Sequence, residues 1–209
     1  MTAHLPDAAT APPDLDRLYA PPSEVILKAV TRRLTEYHLA YLRRAAFFCL
    51  ATGSARGLDA SPRGGPAGFV KPLDAATVAF ADWPGNNRIE SMRNLLDDDR
   101  LAMLFLFPGL DVFLRINGRG RVSTAPELLA ATAEPGRTPR SAIVVAVEEV
   151  LFHCGKAVRR AGLWDEASRI DGDALPSVGK MLVALAELKD VSPDLLDARY
   201  AENMRGDLY

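Results

Sequence analysis

The sequence predicts a mostly β protein, a six-stranded antiparallel barrel with helices on both flanks. Between about residues 45 and 152, short apolar runs alternate with Gly- and Pro-rich turns, which is typical of strands joined by tight connections. From Val112 to Val122, apolar and polar residues occupy alternate positions, as in a strand with one buried face. Because strands do not alternate with ten-residue helices, a doubly wound sheet is not expected. An antiparallel barrel remains.

The composition is that of a packed globular protein. The chain has 209 residues, of which 48% are hydrophobic and 25% charged, so a core can form without disulfide or metal support. A net charge of -2 argues against a nucleic-acid binder. The apolar run from Leu101 to Leu110 is shorter than the roughly 20 residues that span a membrane. Asp7, Asp14 and Asp16 argue against a signal peptide, so a cytoplasmic location is expected.

The first two elements precede the barrel strands. Residues 1–22 are rich in Ala, Pro and Asp and are expected to form an extended arm. A helix is expected to begin at Ser23, a good N-cap residue, and to continue to about Arg44. Its apolar residues recur every three or four positions: Leu27, Val30, Leu34, Tyr37 and Tyr41.

Six strands and several helices follow. The strands are expected at residues 47–52, 58–63, 77–81, 101–107, 112–122 and 142–152. The stretch from Ser61 to Pro66 cannot be a regular central strand, because Pro lacks a donor and Gly weakens the ladder. Short helices are expected near Ile89–Leu96 and Ala125–Thr132, and the end of the chain should be helical. The predicted organisation is an arm (1–22), a barrel unit (23–165) and a helical extension (166–209).

Several kinds of chemistry are not favoured. The sequence has no G-x-S-x-G motif, and neither Cys49 nor Cys154 has an identifiable His and Asn partner. The three histidines are scattered, and the acidic run at 97–99 lacks the spacing of a calcium loop, so no metal site is expected and the run is interpreted as a solvated turn. Gly118-Arg119-Gly120 lies inside a strand and is therefore not a dinucleotide fingerprint.

The segment from Pro84 to Arg88 is the first of three that suggest a function. It ends a predicted strand and opens a predicted helix, where free N–H groups and the helix dipole favour an anion. Arg88 adds a guanidinium, which matches phosphate oxygens. On its own, an ordinary capped turn with a solvated arginine is the simpler interpretation.

Two further segments have a related character. The segment from Ser61 to Lys71 contains three glycines and two prolines, and its irregular backbone could approach a planar ligand closely. A long hairpin loop is the alternative. The segment from His153 to Trp164 leaves a strand and enters a helix, with Lys156 in the first turn. A cation is unfavourable there without an anionic partner.

Together and in this order, the three segments resemble the FMN-binding split-barrel proteins related to pyridoxamine 5′-phosphate oxidase, and most closely a bacterial subgroup of about this length. The matching motifs are Ser61–Gly64, Pro84–Arg88 with Ser91 and Asn94, and Phe152–Lys156 with Leu163-Trp164. The likeness covers about residues 25–165. It implies a Greek-key split barrel, a homodimer, and FMN bound in a cleft between the subunits.

The resemblance also implies eleven cofactor-binding residues: Arg63, Phe69, Val70, Lys71, Asp82, Asn86, Asn87, Arg88, Ser91, Arg115 and Lys156. Arg88 would hold the FMN phosphate together with the amides of Asn86 and Asn87. Ser91, one turn further on, would add a hydroxyl.

The other implied contacts surround the rest of the cofactor. Arg63 and Lys71 would be further phosphate or ribityl partners. Phe69 and Val70 would offer backbone groups and an apolar wall to the isoalloxazine ring, and Asp82 would lie beside its pyrimidine edge. The remaining two residues, Arg115 and Lys156, would approach from the second subunit.

The sequence departs from the oxidase itself in two places. The oxidase carries Ser-Arg-Lys-Gly at its phosphate-binding helix, where this chain has Asn86-Asn87-Arg88. The oxidase also ends in an arginine-bearing strand segment that recognises pyridoxine phosphate, whereas this chain is expected to end in helices. Activity on pyridoxamine phosphate is therefore not expected.

Three functional hypotheses follow. The first is an FMN-dependent oxidoreductase acting on a small-molecule substrate; no side chain is assigned a catalytic role, because the cofactor carries the chemistry. The second is a binding module that holds FMN or another anionic cofactor, such as haem or a deazaflavin, without turnover. The third is an interaction protein with an empty barrel. None of them involves a nucleic acid or a membrane.

Overall fold

The computed structural model describes residues 14–206, in which seven strands form one sheet. Every neighbouring pair is antiparallel, in the order β2-β1-β5-β6-β7-β4-β3. The mostly β, antiparallel fold class is therefore confirmed. The strands are β1 (Phe47–Ser54), β2 (Gly57–Gly64), β3 (Lys71–Asp74), β4 (Thr77–Asp82), β5 (Arg100–Leu106), β6 (Val112–Ser123) and β7 (Ser141–Cys154).

In the described residues, three helices precede the first strand, two lie between strands and three follow the last strand. They are α1 (Leu15–Leu18), α2 (Glu24–Lys28), α3 (Glu36–Leu42), α4 (Glu90–Asp97), α5 (Pro126–Thr132), α6 (Lys156–Ala161), α7 (Val178–Leu185) and α8 (Pro193–Gly206). Two 3₁₀ turns lie between α6 and α7. The short helix α1 falls in the segment predicted as an extended arm, of which residues 1–13 lie outside the described residues.

Contacts between strands near opposite ends of the sheet show that it curls into a barrel, which stays open between its edge strands β2 and β3. β2 is first in the strand order and β4 is sixth, yet Nη1 of Arg63 on β2 donates to Oδ1 of Asp82 on β4 at 2.8 Å. Phe48 on β1 likewise packs against Phe80 on β4, with ring centroids 5.0 Å apart. Both rings are fully buried. Because aromatic side chains bury the most apolar area, this cluster is a major part of the core.

The structure has one strand more than the six predicted. The additional strand is β3, four residues long, which pairs only with β4 at the edge of the sheet. Its sequence, Lys71-Pro72-Leu73-Asp74, contains a proline and no apolar alternation. β2, which contains Pro62, is the other edge strand, and this agrees with its predicted exclusion from the sheet centre.

The single helix predicted from Ser23 to about Arg44 is wrong, because the chain forms two short helices there. Between them, Thr31 exchanges two backbone hydrogen bonds with Val150 on β7. The N–H of Leu34 then donates to the carbonyl of Ala75 at 2.7 Å. Hydrogen bonds to the barrel replace helical hydrogen bonds here. The buried positions are Leu34, His38 and Leu42, so Leu34 is the one member of the predicted stripe that is buried.

His38 gives the fold a pH dependence. Its ring is buried and stacks on Phe152, and Nδ1 accepts a hydrogen bond from the backbone N–H of Thr35 at 3.0 Å. Burial lowers the pKa of His38 below its ordinary value of 6.5. The unfolded chain therefore takes up the proton first, so the free energy of unfolding is greatest above about pH 6.5 and falls as the pH drops below it.

We expect urea unfolding between pH 7 and pH 5 to show this loss of stability. The matched variant is His38→Gln, because Gln at this position still completes the capping box with Thr35 but does not titrate. Its stability should depend less on pH over this range. Equal pH dependence in the two proteins would show that His38 is not the responsible group.

Candidate functional site

A cavity of about 470 Å³ lies where β2 meets the loop that follows β4. Its size falls within the range of about 300–1,000 Å³ that is typical of small-molecule sites. The lining comes from β2, from the β4–α4 connection and from the residue before β7: Asp59, Ala60, Ser61, Pro62, Arg63, Asp82, Trp83, Pro84, Gly85, Asn86, Asn87, Arg88, Ile89, Glu90 and Arg140.

Strand alternation supplies the polar wall on β2. Asp59, Ser61 and Arg63 are half-buried, whereas the residues between them are exposed, because successive side chains of a strand point to opposite faces. Asp59 and Arg63 are both engaged by neighbours. The hydroxyl of Ser61 makes no hydrogen bond to any described residue, so it is available to a ligand.

An ion pair fixes the position of Arg63. The Arg63 and Asp82 side chains are each 17% exposed, so water screens the attraction between them less than in an exposed pair. The Nε atom of Arg63 is buried and makes no hydrogen bond within residues 14–206. The pair therefore holds a guanidinium with spare donor capacity at the cavity wall.

The loop before α4 is a turn that contains one residue in a left-handed conformation. Asn87 has φ of +59°, a left-handed conformation that Asn tolerates better than most residues. The side chain of Asn86 accepts a hydrogen bond from the backbone N–H of Arg88 at 2.9 Å, and α4 begins without a side-chain cap. Arg88 itself is 74% exposed and lies 3.5 Å from Glu90. Because this contact is long and exposed to water, the Arg88 guanidinium is free to bind an anion.

The hydroxyl of Ser91 is engaged inside the protein. Ser91 is buried, and its Oγ donates to the Asp59 carboxylate. From the sequence, Ser91 is predicted to donate to a phosphate. In this structure its hydroxyl donates to Asp59 instead. Its contact instead ties α4 to β2 and holds Asp59 at the cavity wall.

Three predicted site residues lie elsewhere in the same part of the barrel. The Phe69 and Val70 side chains are buried in the core, and Phe69 stacks on Phe48 with ring centroids 5.7 Å apart. Their side chains do not form the predicted wall of this cavity, because the barrel interior takes them instead. Lys71 is half-buried, and its Nζ donates to the carbonyl of Gly68 at 2.8 Å.

Arg115 and Lys156 also lie outside this cavity. Arg115 on β6 has its Nη2 3.4 Å from Oε1 of Glu149 on β7, and its Nε is buried without a hydrogen bond to the described chain. Lys156 is the first residue of α6 and is exposed. Their approach to a cofactor from a second subunit stays a prediction.

Sequence reasoning assigned no role to five polar or aromatic lining residues, namely Asp59, Ser61, Trp83, Glu90 and Arg140. Period-2 alternation with Arg63 was a signal for the first two, and Trp83 adjoins the motif that was recognised. No local pattern indicates Arg140. It reaches the site because Ser141 pairs with Asp82 in the β7–β4 ladder, which places the preceding residue beside the end of β4.

The acidic run after α4 forms ion pairs with arginines. Asp97 pairs with Arg56 at 2.6 Å, and Asp99 pairs with Arg119 at 2.7 Å. The Arg100 side chain donates to Asp98 and lowers the pKa of that carboxyl to about 2. Within residues 14–206 no group of three or more His, Cys, Asp or Glu side chains is arranged to hold a metal ion. No helix in that range is long and apolar enough to cross a membrane.

The open antiparallel barrel with a polar cavity beside β2 and β4 defines a split-barrel protein. A family model described as pyridoxamine 5′-phosphate oxidase matches residues 34–154, more than half of the chain. The chain therefore belongs to the pyridoxamine 5′-phosphate oxidase family. α6, α7 and α8 lie outside the matched residues. No curated protein sequence matches the chain.

Solved structures similar to this chain include three of different description. HupZ from Group A Streptococcus is 19% identical, with a TM-score of 0.45 over 56% of this chain and 92% of that one. A putative pyridoxamine 5′-phosphate oxidase from Lactobacillus delbrueckii is 22% identical, with a TM-score of 0.43 over 58% and 95%. An F420 reductase is 17% identical, with a TM-score of 0.39 over 57% and 98%.

Proposed function

We propose that the protein is an FMN-binding flavoprotein and an oxidoreductase acting on a small-molecule substrate. The observation that carries the proposal is the convergence of Arg63 with Asn86, Asn87 and Arg88 around one cavity. These residues come from two of the three segments on which the resemblance rests. Membership of the pyridoxamine 5′-phosphate oxidase family supports the same assignment.

The donor set of the cavity fits a phosphate ester. Arg88 is exposed and weakly paired, and Ser61 has a free hydroxyl, so both can donate to phosphate oxygens. The backbone N–H groups of Asn86 and Asn87 would add uncharged donors of the kind that line anion-binding turns, whereas the N–H of Arg88 already donates to Asn86. When bound, FMN supplies redox chemistry, while this chain binds the phosphate and orients the cofactor.

A homodimer with the cofactor at the interface belongs to the same proposal. Arg115 and Lys156 do not line the cavity of their own subunit, and both are accessible at the surface. A second copy of the chain would bring them to the cofactor. The partner role explains why Lys156 stands in a first helical turn, where a cation needs an anionic neighbour.

A visible absorption spectrum of the freshly purified protein tests the proposal. We expect an oxidised-flavin spectrum, release of FMN on denaturation, and a holoprotein mass twice that of the chain. A colourless protein that also fails to bind added FMN would remove the basis of the proposed function. Identification of another chromophore would replace FMN while leaving the fold assignment intact.

Binding without turnover is the second candidate function. Two of the three carboxylates that line the cavity, Asp59 and Asp82, already accept hydrogen bonds from Ser91 and Arg63, which does not favour acid–base catalysis by either of them. A deazaflavin would fit this description as well as FMN. The described lining has no His, Cys, Met or Tyr side chain to ligate haem iron. Failure to turn over NADH, NADPH or oxygen with bound flavin would favour this candidate.

A further inference from the structure

The charges that line the cavity balance, which is unexpected for a site that takes a phosphate dianion. Three arginines and three carboxylates line it, namely Arg63, Arg88, Arg140, Asp59, Asp82 and Glu90. Arg63 is committed to Asp82 at 2.8 Å, and Arg88 lies 3.5 Å from Glu90. Arg140 forms no ion pair or hydrogen bond with any residue from 14 to 206. It is therefore the one arginine of the described lining that has no carboxylate partner.

The backbone around Arg140 fixes where this charge stands. A tight turn precedes it, in which Glu134 and Arg137 exchange two backbone hydrogen bonds of 2.9 and 3.1 Å and Gly136 has φ of +75°. Pro139 is buried, and Ser141 begins β7 in register with Asp82. The residue between these two anchors has little backbone freedom, so its exposed side chain is presented at the cavity rim.

Arg140 also lines a second cavity that adjoins the first. This second cavity has a volume of about 260 Å³, and its lining is Trp83, Pro84, Arg137, Thr138 and Arg140. Arg140 is thus common to both cavities, whereas Arg137 lines only the second. The difference between the two arginines provides a matched pair for an experiment.

We propose that Arg140 is the residue that makes the site selective for phosphorylated flavin. This inference rests on the proposed function, and it adds a determinant that the sequence motifs do not contain. Without Arg140, two arginines would face three carboxylates, and a phosphate would enter a cavity of net negative charge. With Arg140, the cavity has no net charge. It also contains one guanidinium that can bind a phosphate without first breaking an ion pair with a carboxylate. Charge-assisted bonds to phosphate are the strong ones, so Arg140 should act on FMN and not on riboflavin.

The experiment compares Arg140→Gln with Arg137→Gln in the full-length apoprotein, titrated with FMN and with riboflavin by flavin fluorescence. We expect Arg140→Gln to lose at least about tenfold in FMN affinity and to bind riboflavin as the wild type does. Arg137→Gln should retain the FMN affinity of the wild type. Unchanged FMN affinity in Arg140→Gln, or an equal loss for FMN and riboflavin, would overturn the inference.

A second measurement separates this inference from the proposed function. If the wild type binds neither flavin, the proposed function fails, and the thermal stabilisation by inorganic phosphate then decides about Arg140. A stabilisation present in the wild type and in Arg137→Gln but lost in Arg140→Gln supports an anion site at Arg140. An equal stabilisation in all three proteins, or none in the wild type, counts against it.

Discussion

Arg88→Ala is expected to lower FMN affinity by about 10- to 100-fold, since hydrogen bonds to charged groups contribute about 1.5–3 kcal/mol each. Arg88 follows the left-handed Asn87 and lines the cavity with only a long contact to Glu90. Because that pair is exposed, its loss should change the stability of the fold little. The free FMN that passes an ultrafiltration membrane gives the affinity directly.

The matched control for this prediction is Arg93→Ala. Arg93 is exposed on the same helix, α4, and does not line the cavity. The Arg93→Ala variant should bind FMN with the affinity of the wild type. Riboflavin affinity should be similar in all three proteins, because the proposed role of Arg88 concerns the phosphate. Full retention of FMN by Arg88→Ala would mean that the phosphate lies elsewhere, and the assignment of this cavity would have to be abandoned.

The strands of the barrel could be predicted because their determinants are local. In β6 the alternation of buried and exposed positions is visible in the sequence itself, and the structure repeats it through Leu114 and Ile116. β3 was missed because four residues that include Pro72 carry no such period. The break between α2 and α3 was missed because Thr31 and Leu34 bond to Val150 and Ala75, which are distant in sequence. Propensity there was overridden by tertiary hydrogen bonds.

The residues of the candidate site also fall into two groups, those with a signal in the local sequence and those without one. Arg63 and Arg88 stand in recognisable sequence segments and were predicted as cofactor-binding residues. Both line the cavity. The burial of Phe69 and Val70 depends on the packing of Phe48 across the barrel, which the sequence around these residues does not reveal. Arg140 depends on the register of β7 with β4. A residue that reaches a site only through strand pairing gives no signal at its own position.

Gly118→Ala is expected to destabilise the barrel by at least about 2 kcal/mol. Gly118 is buried in β6, and a Cβ atom built on it would overlap the carbonyl oxygen of Ala146 on β7. No side-chain rotation can relieve a clash with backbone, so the strands must separate. For a chain of this length, the melting temperature should fall by about 4–8 °C.

The clash falls at a β-bulge that positions Arg115. The register of β6 and β7 shifts between Asn117 and Gly118, because Asn117 pairs with Glu149 but Gly118 pairs with Val147. The extra residue, Glu148, binds Arg119 at 2.8 Å, and Glu149 binds Asn117 and contacts Arg115. A bulge of this kind redirects side chains locally.

Gly172→Ala is the control for the substitution itself. A Cβ atom at Gly172 meets no atom within 4 Å. The free energy of unfolding of the Gly172→Ala variant should therefore differ from that of the wild type by no more than about 0.5 kcal/mol, and its melting temperature should be nearly unchanged. If Gly118→Ala melts at the same temperature as Gly172→Ala, then β6 and β7 do not lie as close together at Gly118 as the structure has them. The same result would also remove the bulge as the reason why Arg115 contacts Glu149.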